Sequence, residues 1–145
     1  MTVPKISVRN LQRKISVNVA ELERFSKYAV QHSLQLPKRR RTDLRELSEI
    51  FIGLISDRRM ALLHRKFLGQ SGPTDVLTFQ HGEIFISVDT ARRHAHAFEN
   101  SLLRELKLYI AHGLLHLHGF DDETPSESHK MKAAQEKILR NCCAL

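Results

Sequence analysis

Apolar residues along this chain switch between two periods, and each switch marks a change of element. Lys5 to Arg9 alternates around Ile6 and Val8, the two-residue period of a short strand. From Asn18 the period lengthens: Leu22, Phe25, Ala29 and Val30 share one helical face, Asn18 supplies an N-cap, and Glu21 three residues on suits a capping box. This helix is expected to run to about Leu34 and to end at Leu36-Pro37. The run Lys38-Arg39-Arg40-Arg41 links to Leu44 through Ser56, where Leu47, Ile50, Ile52 and Leu54-Ile55 predict a second strand. Ser56 or Asp57 caps the next helix, with Met60, Leu63 and Phe67 inward and a stop at Gly69.

Gln70-Ser71-Gly72-Pro73 is a turn cluster; Thr74 to Phe79 is the third strand, His81-Gly82 a turn, and Glu83 to Val88 the fourth strand. A helix from Asp89 to about Phe98 follows. Asn100 or Ser101 caps another that extends to Leu117, and Glu123 to Asn141 forms a last amphipathic helix around Met131, Ala134 and Ile138. Without repeat, low-complexity tract or linker, the pattern predicts a single α+β domain over residues 1–145. It should contain about four strands in a mixed sheet packed by helices.

Length and charge narrow the picture. At 145 residues the chain suffices for one core. Its longest apolar run, Ile50 to Ile55, is far too short to span a bilayer, and no signal-like stretch opens the chain, so a soluble cytoplasmic protein is expected. Cys142 and Cys143, the only cysteines, are neighbours that cannot staple distant segments and are expected to be reduced. A net charge of +7 favours a polyanionic partner, nucleic acid first. Basic pairs at Arg58-Arg59, Arg65-Lys66 and Arg92-Arg93 join the 38–41 run, though each alone suits a solvated face.

The candidate chemistry lies in residues 111–122. His112 and His116 are four apart, so both imidazoles leave one face of the helix. Leu102, Leu103, Leu106, Ile110, Gly113, Leu114 and Leu117 form a broad apolar stripe, with the histidine pair at its edge beside Tyr109. His118 falls near Lys107 and reads as solvated. Gly119 follows the last periodic residue, where a left-handed glycine folds the chain back and brings an aspartate, Asp121 or Asp122, alongside. Two imidazoles and a carboxylate leave one open position, the pattern of a catalytic zinc site. A lone i, i+4 histidine pair is more often packed or solvated than metal-bound; the glycine turn and the aspartates shift that balance.

Two blocks carry a family resemblance. His112-Gly-Leu-Leu-His116-Leu-His-Gly119-Phe-Asp121-Asp122 resembles the signature H-G-x-L-H-L-x-G-x-D-H of the YbeY-type endoribonucleases. Pro73-Thr74-Asp75-Val76-Leu77-Thr78-Phe79, ahead of Gly82-Glu83-Ile84, is similar to that family's P-T-D-V-L-S-F. With Met131 and Gln135-Glu136 matching the closing helix, the resemblance covers roughly residues 60 to 140. It implies a fold similar to zinc metalloproteases, a central buried helix bearing the histidines, and one Zn2+ per chain. It also implies cleavage of single-stranded RNA in 16S rRNA 3'-end maturation and late ribosome quality control, with precursor rRNA and the ribosome or its small subunit as partners.

Carried over residue by residue, the metal ligands are His112, His116 and the third-ligand position, here Asp122 in place of histidine. A carboxylate is a harder donor, so a divalent metal other than zinc also fits. Leu68 stands where the family carries an arginine after an aromatic residue, here Phe67; Arg65 or Lys66 are candidates to meet phosphate instead. His64 replaces an asparagine. The implied reaction is metal-assisted phosphodiester hydrolysis, with Asp75, Glu83 or Glu105 as the candidate general base, or no base at all. Asp75 equally suits a purely local role, bonding backbone amides at a strand start, and Asp121 either orients a ligand histidine or caps the final helix. A peptidase of the H-E-x-x-H type needs a glutamate where this chain has Gly113, which instead suits close approach of another segment. The rival readings are a non-catalytic ribosome-associated factor with a structural metal, and a general metal-dependent hydrolase or peptidase.

Overall fold

A computed structural model describes residues 3–38, 41–72 and 74–143 of the chain, and the side chain of Cys143 lies outside this description. Arg39 and Arg40 of the basic run and Pro73 of the turn cluster therefore fall outside the described residues. The elements are β1 (Lys5–Asn10), α1 (Val19–Gln35), α2 (Asp43–Glu46), β2 (Glu49–Ile55), α3 (Asp57–Leu68), β3 (Val76–Phe79), β4 (Glu83–Ser87), α4 (Val88–Ala97), α5 (Leu102–Leu117) and α6 (Pro125–Cys143). The fold is α+β, as the pattern predicts. The sheet order is β1-β2-β4-β3, with β1, β2 and β4 parallel and β3 antiparallel at the edge. Among the described residues no helix is long and apolar enough to cross a membrane.

Strand alternation divides the sheet into two faces. Ile50, Ile52 and Leu54 of β2 and Ile84 and Ile86 of β4 join the main core with α1, α5 and α6. Ile55, Leu77, Phe79 and Phe85 meet Met60 and Leu63 of α3 in a second, smaller cluster. Helix α5 crosses the first face closely because Gly113 has no side chain. A Cβ there would stand 3.0 Å from two Ile84 methyl carbons and 3.1 Å from Thr78 Oγ1. The close approach expected of Gly113 is therefore realised against β4 and β3.

Caps set the helix starts more sharply than the apolar period does. Asn18 accepts from Glu21 N–H and Ser56 from Arg59 N–H, Ser87 caps α4, and Ser101 caps α5. Only half of the expected capping box forms at Asn18, because the Glu21 carboxylate turns to Arg24 and to Lys107 at 2.7 Å. Thr124 caps α6 by accepting from Glu127 N–H, and its hydroxyl donates to the Glu127 carboxylate, with Pro125 in the first helical position, two residues later than the predicted start. The third strand likewise begins at Val76 instead of Thr74, and α4 at Val88 instead of Asp89.

Three expectations are corrected. The stretch from Leu44 to Ser56, expected to hold the second strand with Leu47 in it, opens instead on α2, capped by Thr42 and too short to show a period, with Leu47 as its C-cap and the strand starting at Glu49. Phe67 is 54% exposed instead of inward, in a last turn of α3 that is exposed throughout. His118 is fully buried and Lys107 nearly so, because α1 covers the side of α5 that helical periodicity assigns to solvent. Its ring is satisfied: Nε2–H donates to Leu36 O at 2.9 Å and Nδ1 accepts from the Thr42 hydroxyl at 3.1 Å. Cys142 is a buried free thiol.

Candidate metal centre

The end of α5 builds the site. Gly119 adopts φ +88°, Phe120 N–H reaches back to Leu115 O at 2.9 Å, and Gly119 N–H to His116 O at 3.0 Å, the paired bonds of a Schellman stop. The reversed chain then passes over the open side of α5. Asp121 Oδ1 accepts from Glu123 N–H and tightens the turn, while Asp122 swings to the histidines.

His112, His116 and Asp122 each offer one donor atom, all within 4.8 Å of one another. The two Nε2 atoms are 3.0 Å apart; the Asp122 oxygens lie 3.6 Å from His112 Nε2 and 3.8 Å from His116 Nε2. These separations, 3.0 to 3.8 Å, bracket the edge of about 3.3–3.6 Å expected for a tetrahedron with arms of about 2.0–2.2 Å. The outer nitrogens make the fit specific. His116 Nδ1 lies 3.1 Å from Phe120 O, a group that can only accept, and His112 Nδ1 lies 2.9 Å from Gln135 Oε1. Both rings thus carry their proton on Nδ1, and two Nε2 lone pairs face each other. Burial, and next the neighbouring His112, lower the pKa of His116, which favours its neutral, ligating form. Two opposed lone pairs beside a carboxylate are a donor set for a cation, so zinc or another divalent ion fits these residues.

Two hollows meet at His112. One of about 350 Å³ is lined by Asp43, Leu68, Val76, Thr78, Gln80 and His116; the other, about 200 Å³, by Asp75, Tyr109, Asp122, Ser128, Lys132 and Gln135. Of the three candidate bases, only Asp75 lines a hollow that contains His112. Its Oδ1 accepts from Val76 N–H at 2.8 Å, the local role weighed above, and Oδ2 takes no hydrogen bond from the described residues. Glu105 is buried and accepts from Asn100. Glu83 pairs with His81 and alternates onto the sheet face away from α5. Glu105 and Glu83 are thus not brought to the histidines.

Arg65 lies in a separate hollow with Arg58 and Gly72, and Lys66 sits over the Phe67 ring; neither lines the histidine hollows. Leu68 does line one of them, and His64 donates from Nδ1 to Gly72 O. Two residues at the site are named by the motif reading without being given a role. Gln135 is polar on the inner face of α6, one turn after buried Met131, and that position is the signal. Tyr109, whose hydroxyl lies 2.6 Å from His94 Nδ1, has a raised pKa from burial and from nearby Asp75 and Glu105.

A mixed four-stranded sheet crossed by a helix with an i, i+4 histidine pair, joined by an aspartate from the following turn, defines an α+β protein with three side chains that could hold a metal ion. The fold matches the solution structure of the Thermotoga maritima protein TM1509 with a TM-score of 0.63 over 96% of this chain and 92% of that one, at 24% identity. The family model described as Endoribonuclease YbeY matches residues 7–142, and the chain belongs to this family. Relatives named Endoribonuclease YbeY include one from Anaeromyxobacter sp., 38% identical over 64% of this chain, and one from Thermus thermophilus, 36% identical over 72% of this chain and 88% of its own. The chain spans only 54% and 62% of the relatives from Anaeromyxobacter sp. and Frankia alni.

Proposed function

We propose that this chain is a single metal-dependent endoribonuclease domain, one Zn2+ per chain, that hydrolyses single-stranded RNA. Precursor 16S rRNA on the small subunit is its substrate, cut during 3'-end maturation and quality control in the cytoplasm. The observation that carries the reading is the pair of Nε2 lone pairs held 3.0 Å apart with both Nδ1 protons committed elsewhere. Family membership supplies the reaction class, and the +7 charge suits a polyanion.

His112, His116 and Asp122 would hold the ion. A zinc ion there supplies Lewis acidity toward a water and a phosphoryl oxygen. Gln135 and Phe120 keep the two rings in the ligating tautomer. Asp75, which lines the hollow with His112 and Asp122, would take a proton on Oδ2, and Lys132, on the same hollow, would offer counter-charge to phosphate. Gly113, packed on Ile84, occupies the position where a peptidase of the H-E-x-x-H type carries its base, which disfavours proteolysis. One observation favours a non-catalytic factor with a structural metal: Leu68 brings an apolar side chain to the cleft where an arginine is expected.

The test is purified protein incubated with single-stranded RNA, duplex RNA and a peptide library, with chelator and with zinc restored. Chelator-sensitive cuts confined to single strands and lost in His116→Ala are expected. Intact RNA beside firm ribosome binding would replace the enzyme with the binding factor, and cut peptides would replace both.

A further inference from the structure

We propose that Phe67, Phe79 and His81 form a ledge on which one unpaired base of the RNA stacks; this rests on the nuclease reading. Phe67 and His81 are among the planar side chains that the fold leaves in solvent, with Phe67 54% exposed and the His81 side chain 69%. Phe79 stands between them, edge-on to Phe67 at 5.3 Å and 73°, and stacked on His81 at 5.8 Å and 26°. Phe79 in turn packs edge-on against Phe85, so the ledge is anchored in the smaller core.

The ledge adjoins the histidine cleft through two chain neighbours. Leu68 follows Phe67, Gln80 lies between Phe79 and His81, and both Leu68 and Gln80 line the hollow that contains His112 and His116. Because β3 is the edge strand, nothing further in the sheet separates its outer side from the cleft. A strand with one phosphate at the cleft can fold its next base over that edge. Lys66, whose ammonium lies 5.5 Å from the centre of the Phe67 ring, would then face the adjoining phosphate, and Arg65 adds charge of the same sign. Two acidic side chains lie near His81: Glu83, which is held on it, and Glu49, which shares a hollow with both and with Lys5.

The size of the ledge suits a base. Two exposed rings fall well short of the roughly 800 Å² per partner that a stable protein interface buries. Stacking is sequence-tolerant, since every base has a π-face, but it needs a base out of the duplex. The ledge therefore selects single strands without reading sequence.

Because the chain has no tryptophan, Phe67→Trp is a unique reporter on the ledge. Its emission and its affinity for a short single-stranded oligonucleotide are measured beside wild type, Phe67→Ala and Phe98→Ala. Phe98 is 70% exposed at the end of α4 and lines neither histidine hollow, so it controls for loss of an exposed ring. Expected are quenching of the tryptophan by the single strand and not by a duplex of equal length, on the order of ten-fold weaker binding in Phe67→Ala, and wild-type binding in Phe98→Ala. Unchanged affinity in Phe67→Ala, or unquenched tryptophan at RNA saturation, overturns the ledge alone. Self-association of wild type abolished in Phe67→Ala would overturn it in favour of contact between copies. Wild-type protein that binds no RNA overturns the ledge together with the nuclease reading.

Discussion

Gln135→Leu tests the reasoning about the metal centre at its most specific point. Gln135 Oε1 accepts the His112 Nδ1 proton at 2.9 Å, and the His116 Nε2 lone pair lies 3.0 Å from His112 Nε2. Without the amide oxygen, the neutral His112 ring gains by moving its proton to Nε2, where His116 accepts it. That new bond, about 0.5–1.5 kcal/mol, must break before an ion can enter. Together with the freed ring orientation, it should weaken zinc binding about 10- to 100-fold, the usual effect of losing such an outer partner. Folding stability of the metal-free protein should change little. Competition against a chromogenic chelator reads the affinity, and nitrogen chemical shifts of the metal-free rings read the tautomer. Gln135→Glu, which keeps an acceptor, should hold zinc at least as tightly as wild type. Zinc affinity within two-fold of wild type in Gln135→Leu, or a His112 proton that stays on Nδ1, would refute the argument.

Gly113→Ala should gain about 1 kcal/mol of helix propensity and lose about 1–3 kcal/mol to overpacking against Ile84, which is fully buried and branched. Urea unfolding should therefore show a net loss of about 1 kcal/mol, and a stabilised variant would contradict it. The Glu21 carboxyl is held down to about 2 from an ordinary 4.5, chiefly by the hydrogen bond from Arg24 and then that from Lys107. A depressed acid stabilises the fold above its unfolded pKa, so the advantage of wild type over Glu21→Gln should hold above pH 4.5 and vanish as pH falls toward 2. Because Arg24 is half exposed, about 1–2 kcal/mol at pH 7 is expected, and a difference unchanged at pH 2 would sink it. Leu68→Arg places a cation in the histidine cleft. It should tighten single-stranded RNA binding and steepen its salt dependence by about one phosphate contact, and an unchanged salt slope would exclude that contact.

Much of this protein was decided by local order along the chain. Apart from α2, the two apolar periods set strands and helices within a residue or two, the serine and asparagine caps set helix starts, and the spacing of His112, His116 and Gly119 put two imidazoles on one face ahead of a reversal. Those properties depend on residues a few positions apart, which is why they are legible without a fold. The tertiary structure alone decided which carboxylates are near. Asp75, Glu83 and Glu105 are chemically alike, and only the packing of strands and helices brings the first into a hollow with His112 and leaves the others elsewhere. It also decided that His118 and Lys107 are interior, because α1 covers a face that helical periodicity assigns to water, and that Gln135 of α6 sets the tautomer of His112, 23 positions earlier. Proton placement at the candidate centre is thus a property of packing between distant segments, and no local pattern carries it.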